Sequence, residues 1–281
     1  MADRPAEPIT DSRTPVLRFE NVTVSFDGEV ALRDISFSAY EGESCVILGA
    51  AGSGKTVLLK TAMGLAKPES GKVYVFGQDI SAMPEKVLFG VRSKIGMLFQ
   101  ESALFDSLTI AENVAYPLLN QPSIKCPAAE VLPRVKQTLE FVELGGTLAK
   151  FPNELSGGMR RRAGIARAVV TEPPLQMYDS PTAGLDPITA HTIMSLLIKE
   201  RDVSQATTLM VTHRYQDGNL MANFRYNSEQ GELEPAQNGD RRNTKTTFMV
   251  LKDGRLIFED DQDAIEASQD PYINKFVKQR V

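Results

Sequence analysis

The run Gly49-Ala50-Ala51-Gly52-Ser53-Gly54-Lys55-Thr56 constrains this chain more than any other feature. It has the spacing G-x-x-x-x-G-K-[ST]. It follows the apolar stretch Cys45-Val46-Ile47-Leu48 and precedes Val57, Leu58, Thr61, Ala62 and Leu65, which recur at helical spacing. Glycines in such a turn let successive backbone N–H groups converge on an anion, and the start of the next helix adds partial positive charge there. Lys55 would reach the terminal phosphates of a polyphosphate ligand, and the Thr56 hydroxyl would ligate Mg²⁺. A strand, a glycine-rich turn and a helix in that order open a β/α unit.

Composition narrows the class. The chain has 281 residues, 42% of them apolar and 24% charged, which is ordinary globular usage. No window approaches the roughly 18 consecutive apolar residues of a membrane-spanning helix, and Met1 to Pro8 lacks the apolar centre of a secretory signal. The formal net charge of −5 offers no excess of positive charge to a nucleic-acid backbone. Cys45 and Cys126 lack metal-ligand spacing; Cys45 reads as a buried thiol in a reducing compartment. The expectation is a cytoplasmic chain of one or two domains.

Residues 1–15, with Pro5, Pro8 and Pro15, read as a flexible tail. Strand patterns follow at 16–20, 22–26, 35–40, 71–76 and 95–99, with the helix from Lys55 between them. From about 107 to 170 the pattern becomes helical, over 108–119, 128–144 and 156–170, which suggests an inserted subdomain. Alternation resumes with a strand at 175–179, a helix at 187–199 and a strand at 207–212. Residues 219–246 are polar and read as a solvated loop or as a regulatory or partner contact. Asp253-Gly254 between two apolar runs predicts a hairpin. Residues 265–281 close the chain as a short helical tail. His191 belongs to no motif and reads as a surface or packing residue.

Further residues resemble the ATP-binding subunits of ATP-binding cassette (ABC) transporters. Leu155-Ser156-Gly157-Gly158-Met159 is similar to the family's signature motif, Gln100 to its Q-loop glutamine, Asp179 to its Walker B aspartate, Ala183-Gly184-Leu185-Asp186 to its D-loop and His213 to its switch histidine. The resemblance covers residues 17 to about 264. It implies an α/β P-loop NTPase: a RecA-like core with an antiparallel β subdomain and an inserted α-helical signature subdomain, the nucleotide-binding domain spanning 16–264.

It also implies ATP and Mg²⁺ as ligands, the metal held by Thr56, Gln100 and Asp179. Phe26 would stack on adenine, since stacking needs only a flat π-face. Ser156, Gly157 and Gly158 open a helix, where a hydroxyl and N–H groups can cap the helix and bind an anion. In the family that anion is the γ-phosphate held by a second subunit packed head to tail, near Asp186. Arg160, Arg161 and Arg162 read as a solvated helix face.

Two departures stand out. Gln176 interrupts an apolar strand and must find a hydrogen-bond partner. Ser180 occupies the place of the glutamate that polarises the attacking water, and general-base assistance contributes about 10²- to 10⁴-fold. Either hydrolysis is slow, or His213, Gln100 or a neighbouring carboxylate positions the water. A homodimer would carry Ser180 twice; a heterodimer with a glutamate-bearing ATPase would not.

Within the family, residues 95–105, 108–118 and 154–164 look most like the ATPases of Mla/Mce-type lipid transporters. That resemblance implies transmembrane permease subunits, an MCE-type substrate-binding protein, and a place on the cytoplasmic face of the inner membrane. Leu104 and Phe105 then read as permease interface or as subdomain packing. Three classes remain open: a transport motor, a slow or non-hydrolysing regulatory subunit, and an ABC ATPase unrelated to transport, which commonly pairs two cassettes in one chain.

Overall fold

The structure is a computed structural model that describes residues 14–236 and 245–278. Alternating side chains build its first layer. In β1 (Leu17–Phe26) the residues Leu17, Phe19, Val22 and Val24 face inward, at most 1% exposed. The two short strands expected here are one strand. The register slips between Phe19 and Val22, and Asn21 takes a φ of 50°, so the bulge returns Val22 to the buried face. β2 (Glu29–Ala39), β4 (Ser70–Val75) and β5 (Gln78–Asp79) complete an antiparallel sheet of order β2-β1-β4-β5. β2 starts earlier than the alternation at 35–40 suggests, because Glu29 pairs with Phe26 across the turn.

The second sheet has the order β12-β11-β3-β8-β7-β6. Its strands β3 (Ser44–Leu48), β6 (Ile95–Leu98), β7 (Leu175–Asp179), β8 (Thr207–Thr212) and β11 (Thr246–Lys252) run parallel, and β12 (Arg255–Asp260) folds back on β11 at Asp253-Gly254. Every residue of β3, β7 and β8 is buried, as a parallel sheet covered on both faces requires. One face meets the antiparallel sheet, α1 (Lys55–Ala62) and α2 (Glu85–Arg92). The other meets α3 (Ile110–Asn120), α4 (Ala128–Phe141), α5 (Gly157–Val169), α6 (Pro187–Ser204) and α7 (Tyr215–Asn223). The α/β fold class expected from the motifs is the observed one.

Local chemistry sets the helix ends. α3 begins at Ile110 because Thr109 and Glu112 close a capping box: Glu112 N donates to the Thr109 hydroxyl at 3.3 Å and Thr109 N to Glu112 Oε2 at 2.7 Å. α2 has no counterpart in the sequence reading, since it buries only Leu88 and Val91 and contains Gly90. α6 runs five residues past the expected end at 199, because its last turn buries charge rather than apolar side chains. Arg201, 2% exposed, donates to the carbonyls of Met221 and Phe224 and pairs with Asp202 at 2.7 Å.

The polar stretch 219–246 is not a simple loop. It holds the end of α7 and a hairpin of β9 (Phe224–Asn227) and β10 (Glu232–Pro235), pinned to α6 by Tyr226 N donating to Asp202 Oδ2 at 2.8 Å; residues 237–244 lie outside the described residues. Of the expected N-terminal tail, 1–13 also lie outside them. The C-terminal stretch forms α8 (Gln262–Ala267) and α9 (Pro271–Val277), capped by Asp261 and Asp270.

Gln176 finds its partners. Its Nε2 donates to Glu200 Oε1 at 2.8 Å, and its Oε1 accepts the hydroxyl of the fully buried Tyr178. Burial pushes the Glu200 carboxyl upward, against the pull of that Gln176 donor. Gln176→Leu strands the Tyr178 hydroxyl in the core and removes one donor from Glu200. It should lower unfolding free energy by about 1–3 kcal/mol in chemical denaturation.

Candidate nucleotide site

In an open α/β sheet, ligands bind beyond the carboxyl ends of the strands. β3, β6, β7 and β8 deliver Gly49, Gln100, Ser180 and His213 to that edge. Gln100, Ser180 and His213 line a cavity of about 740 Å³ together with Lys55 and Thr56. A larger cavity of about 1050 Å³ lies at the opposite edge, beside Glu41, Lys94, Pro174 and Ala206, where no glycine-rich turn meets it.

The turn from Gly49 to Thr56 is shaped by backbone that only glycine tolerates easily. Gly52 and Gly54 sit at φ 77° and 105°. A Cβ on Gly54 would stand 2.7 Å from the Ala31 carbonyl and 2.9 Å from Leu32 Cδ2, so the turn lies directly on β2. Gly254, also packed against Ala31, donates its N–H to Ser53 O at 3.2 Å.

Within this frame the Lys55 ammonium donates to the carbonyls of Gly49 at 2.7 Å and Ala50 at 2.8 Å. Burial lowers its pKa, and the nearby Asp179 carboxylate opposes that. Thr56 Oγ1 donates to Asp179 Oδ2 at 2.8 Å, and Ser180 Oγ donates to Asp179 Oδ1 at 3.1 Å. Among the described residues Ser53 Oγ is buried without a partner.

These residues fit a Mg²⁺-nucleoside triphosphate. Among the described residues no group of three His, Cys, Asp or Glu could hold a metal alone. One carboxylate and one hydroxyl suit Mg²⁺, which binds through few protein ligands plus phosphate oxygens.

The structure does not bring all the expected residues together. Phe26 ends β1 half exposed and does not line the cavity; Ala31 is the contribution from that sheet. Ser156 caps α5, its hydroxyl accepting from Met159 N at 3.3 Å. Asp186 caps α6, accepting from Ile188 N at 3.1 Å and Thr189 N at 3.0 Å; the Thr189 side chain, followed by these backbone donors, holds its carboxyl below the usual range. Gly158 abuts α6, where a Cβ would meet Thr189 Cγ2 at 2.6 Å. Ser156, Gly157, Gly158 and Asp186 thus share one surface apart from the cavity lining. His191 is on the exposed side of α6.

Two contributors escape the sequence reading. Arg161 is no solvated residue: it is 6% exposed and donates to the carbonyls of Phe99, Gln100 and Ala183, tying α5 to the loops after β6 and β7. Its place in a run of three arginines hid it. The second is α9. The Tyr272 hydroxyl accepts from Ala50 N at 3.2 Å and donates to Leu251 O at 3.3 Å, and Lys275 and Phe276 line the cavity. The signal was Asp270-Pro271, a helix start followed by Tyr272, Ile273, Phe276 and Val277 at helical spacing.

A parallel strand running through a glycine-rich turn into a helix, with a lysine inside the turn and a threonine bonded to a strand-end aspartate, defines a P-loop nucleotide-binding protein. The protein-family model for ABC transporters matches residues 32–183. The chain is 31% identical over 263 residues to the intermembrane phospholipid transport system ATP-binding protein MlaF of Haemophilus influenzae, covering 94% of this chain and 90% of that protein. It is 38% identical over 206 residues to a probable ribonucleotide transport ATP-binding protein of Mycobacterium leprae, covering 72% of this chain and only 59% of that protein's length. Among solved structures, the ATP-binding cassette MJ0796, a dimer bound to ADP and phosphate, superposes with a TM-score of 0.72 at 30% identity, covering 87% of this chain and 98% of that one. The chain belongs to the ABC transporter ATP-binding family.

The turn's geometry is testable without a ligand. Gly54→Ala forces a side chain against the Ala31 carbonyl at a left-handed residue. It should cost about 1–3 kcal/mol of stability, read as a lowered midpoint in thermal unfolding of the purified chain.

Proposed function

We propose that this chain is the ATP-binding subunit of an ABC transporter for a lipid or other hydrophobic substrate. The observation that carries the reading is the convergence of Lys55, Thr56, Gln100 and His213 on one cavity at the strand ends, with Asp179 bonded to the Thr56 hydroxyl beside it. The backbone N–H groups of residues 52–56 and the Lys55 ammonium would hold the phosphates, while Thr56, Asp179 and Gln100 would hold Mg²⁺. Bound Mg²⁺ would neutralise charge on the phosphate oxygens.

Lipid is favoured over other substrates because the phospholipid-transport relative matches along 90% of its length. The mycobacterial relative and a methionine-import relative from Rhodococcus jostii match along 59% of theirs. Ser156, Gly157 and Gly158 lie outside the cavity of their own chain, which supports completion of the site by a second ATPase subunit packed head to tail. That subunit is a second copy or a glutamate-bearing partner.

Among the described residues no helix is long and apolar enough to cross a membrane. The membrane-spanning part then belongs to permease subunits, with an MCE-type protein supplying substrate and this chain on the cytoplasmic face. A groove of about 280 Å³ lined by Phe99, Phe105, Tyr116 and Pro117 supports permease docking. Phe105, 41% exposed, lies 4.7 Å from the Tyr116 ring, whereas Leu104 packs against the core.

Ser180 sets the rate. Its hydroxyl is committed to Asp179, and a neutral hydroxyl is a weak proton acceptor, so nucleotide binding proceeds with slow hydrolysis. Lys55→Ala should weaken binding of a fluorescent ATP analogue about 10- to 100-fold, by loss of charge-assisted hydrogen bonds. Ser180→Glu should speed single-turnover hydrolysis by about 10²- to 10⁴-fold. No gain from the glutamate would sink the slow-hydrolysis reading and leave water positioning to His213 and Gln100. Co-purification with a permease separates a transport subunit from a free ATPase.

A further inference from the structure

A buried carboxylate outside the proposed ligand set joins two loops that line the cavity. Asp217, in the first turn of α7, is 1% exposed, and its Oδ2 accepts the hydroxyls of Thr182 at 2.7 Å and Thr212 at 2.8 Å. Thr182 lies two residues beyond Ser180, in the turn that leads to Asp186. Thr212 ends β8 directly before His213, and its hydroxyl also accepts from Arg214 N at 3.1 Å, bracketing the histidine. Thr182 and Thr212 are at most 1% exposed, so water cannot replace these bonds.

The carboxylate itself has little room to shift. The next residue, Gly218, lies where a Cβ would meet Phe248 Cε1 at 2.6 Å and Val46 Cγ1 at 2.9 Å, so α7 is pressed onto the sheet. Arg214 Nε stands 3.8 Å from Asp217 Oδ1 and balances its charge.

We propose that Asp217 is a positioning residue: by holding Thr182 and Thr212 on one oxygen, it locks the turn after Ser180 to the loop carrying His213. Moving either loop alone strands a buried hydroxyl or part of a buried carboxylate. Both bonds are charge-assisted, about twice as strong as neutral ones, so the loops keep one spacing across the cavity. With no carboxylate at position 180, that spacing decides where a water can sit between Ser180 and His213. The kinetic consequence rests on the proposed ATPase function; the mechanical one does not.

The test compares full-length wild type with Asp217→Ala, Thr182→Val and Thr182→Ser. In hydrogen–deuterium exchange without nucleotide, Thr182→Val should speed exchange both at 180–186 and at the distant 212–216, and Thr182→Ser should restore both. Asp217→Ala should match Thr182→Val. If that variant fails to fold, the threonine pair carries the test alone. In single-turnover assays Thr182→Val should lower the hydrolysis rate about 10- to 100-fold, the scale of a small misplacement, with ATP affinity unchanged. A rise confined to 180–186 overturns the proposal, as does a rate unaffected by Thr182→Val or a loss that Thr182→Ser does not restore. Failure of the wild-type chain to bind ATP overturns the ATPase reading and leaves the exchange result standing.

Discussion

The candidate site hangs from one carboxylate. Asp179 closes β7, the strand between β8 and β6, and its two oxygens take the hydroxyls of Thr56 and Ser180. One of these comes from the phosphate loop and the other from the turn after its own strand. A 3% exposed carboxylate is tolerable only with such partners nearby. A rigid strand end fixes Asp179, and Asp179 in turn fixes the phosphate loop and the turn at Ser180.

The loops around that carboxylate are tied together rather than merely adjacent. Arg161 joins α5 to the backbone at Phe99, Gln100 and Ala183. Asp217 joins Thr182 to Thr212. The turn after β7 is therefore held from both sides, by a buried cation and a buried anion. Such groups persist in a core only when fully bonded, so they specify one arrangement where apolar packing would allow several.

Features written locally in the chain were legible in the sequence. The glycine-rich turn was legible because left-handed backbone and close approach demand glycine at fixed offsets, and the sheet because its strands are continuous apolar runs. α2, the last turn of α6 and the β9–β10 hairpin were not, since each is held by buried charge or by a few apolar side chains. Arg161 looked like surface, and Gln176 looked like a defect until Glu200 and Tyr178 stood beside it. A buried polar residue shows in the sequence only as a break in the pattern; its partner, distant in the chain, supplies the meaning.

Position 180, where the family resemblance implies a glutamate, holds a serine in a demanding backbone conformation. Ser180 takes a φ of 49°, a left-handed conformation costly for a non-glycine residue, yet its N–H donates to Val211 O at 2.8 Å and its carbonyl accepts from Ala183 N at 3.0 Å. The backbone is held in this strained form by groups that do not depend on the side chain. A glutamate there would be presented by the same backbone, at the cost of the hydrogen bond that the Ser180 hydroxyl gives Asp179. On the function proposed above, a serine here would alter proton acceptance more than backbone shape.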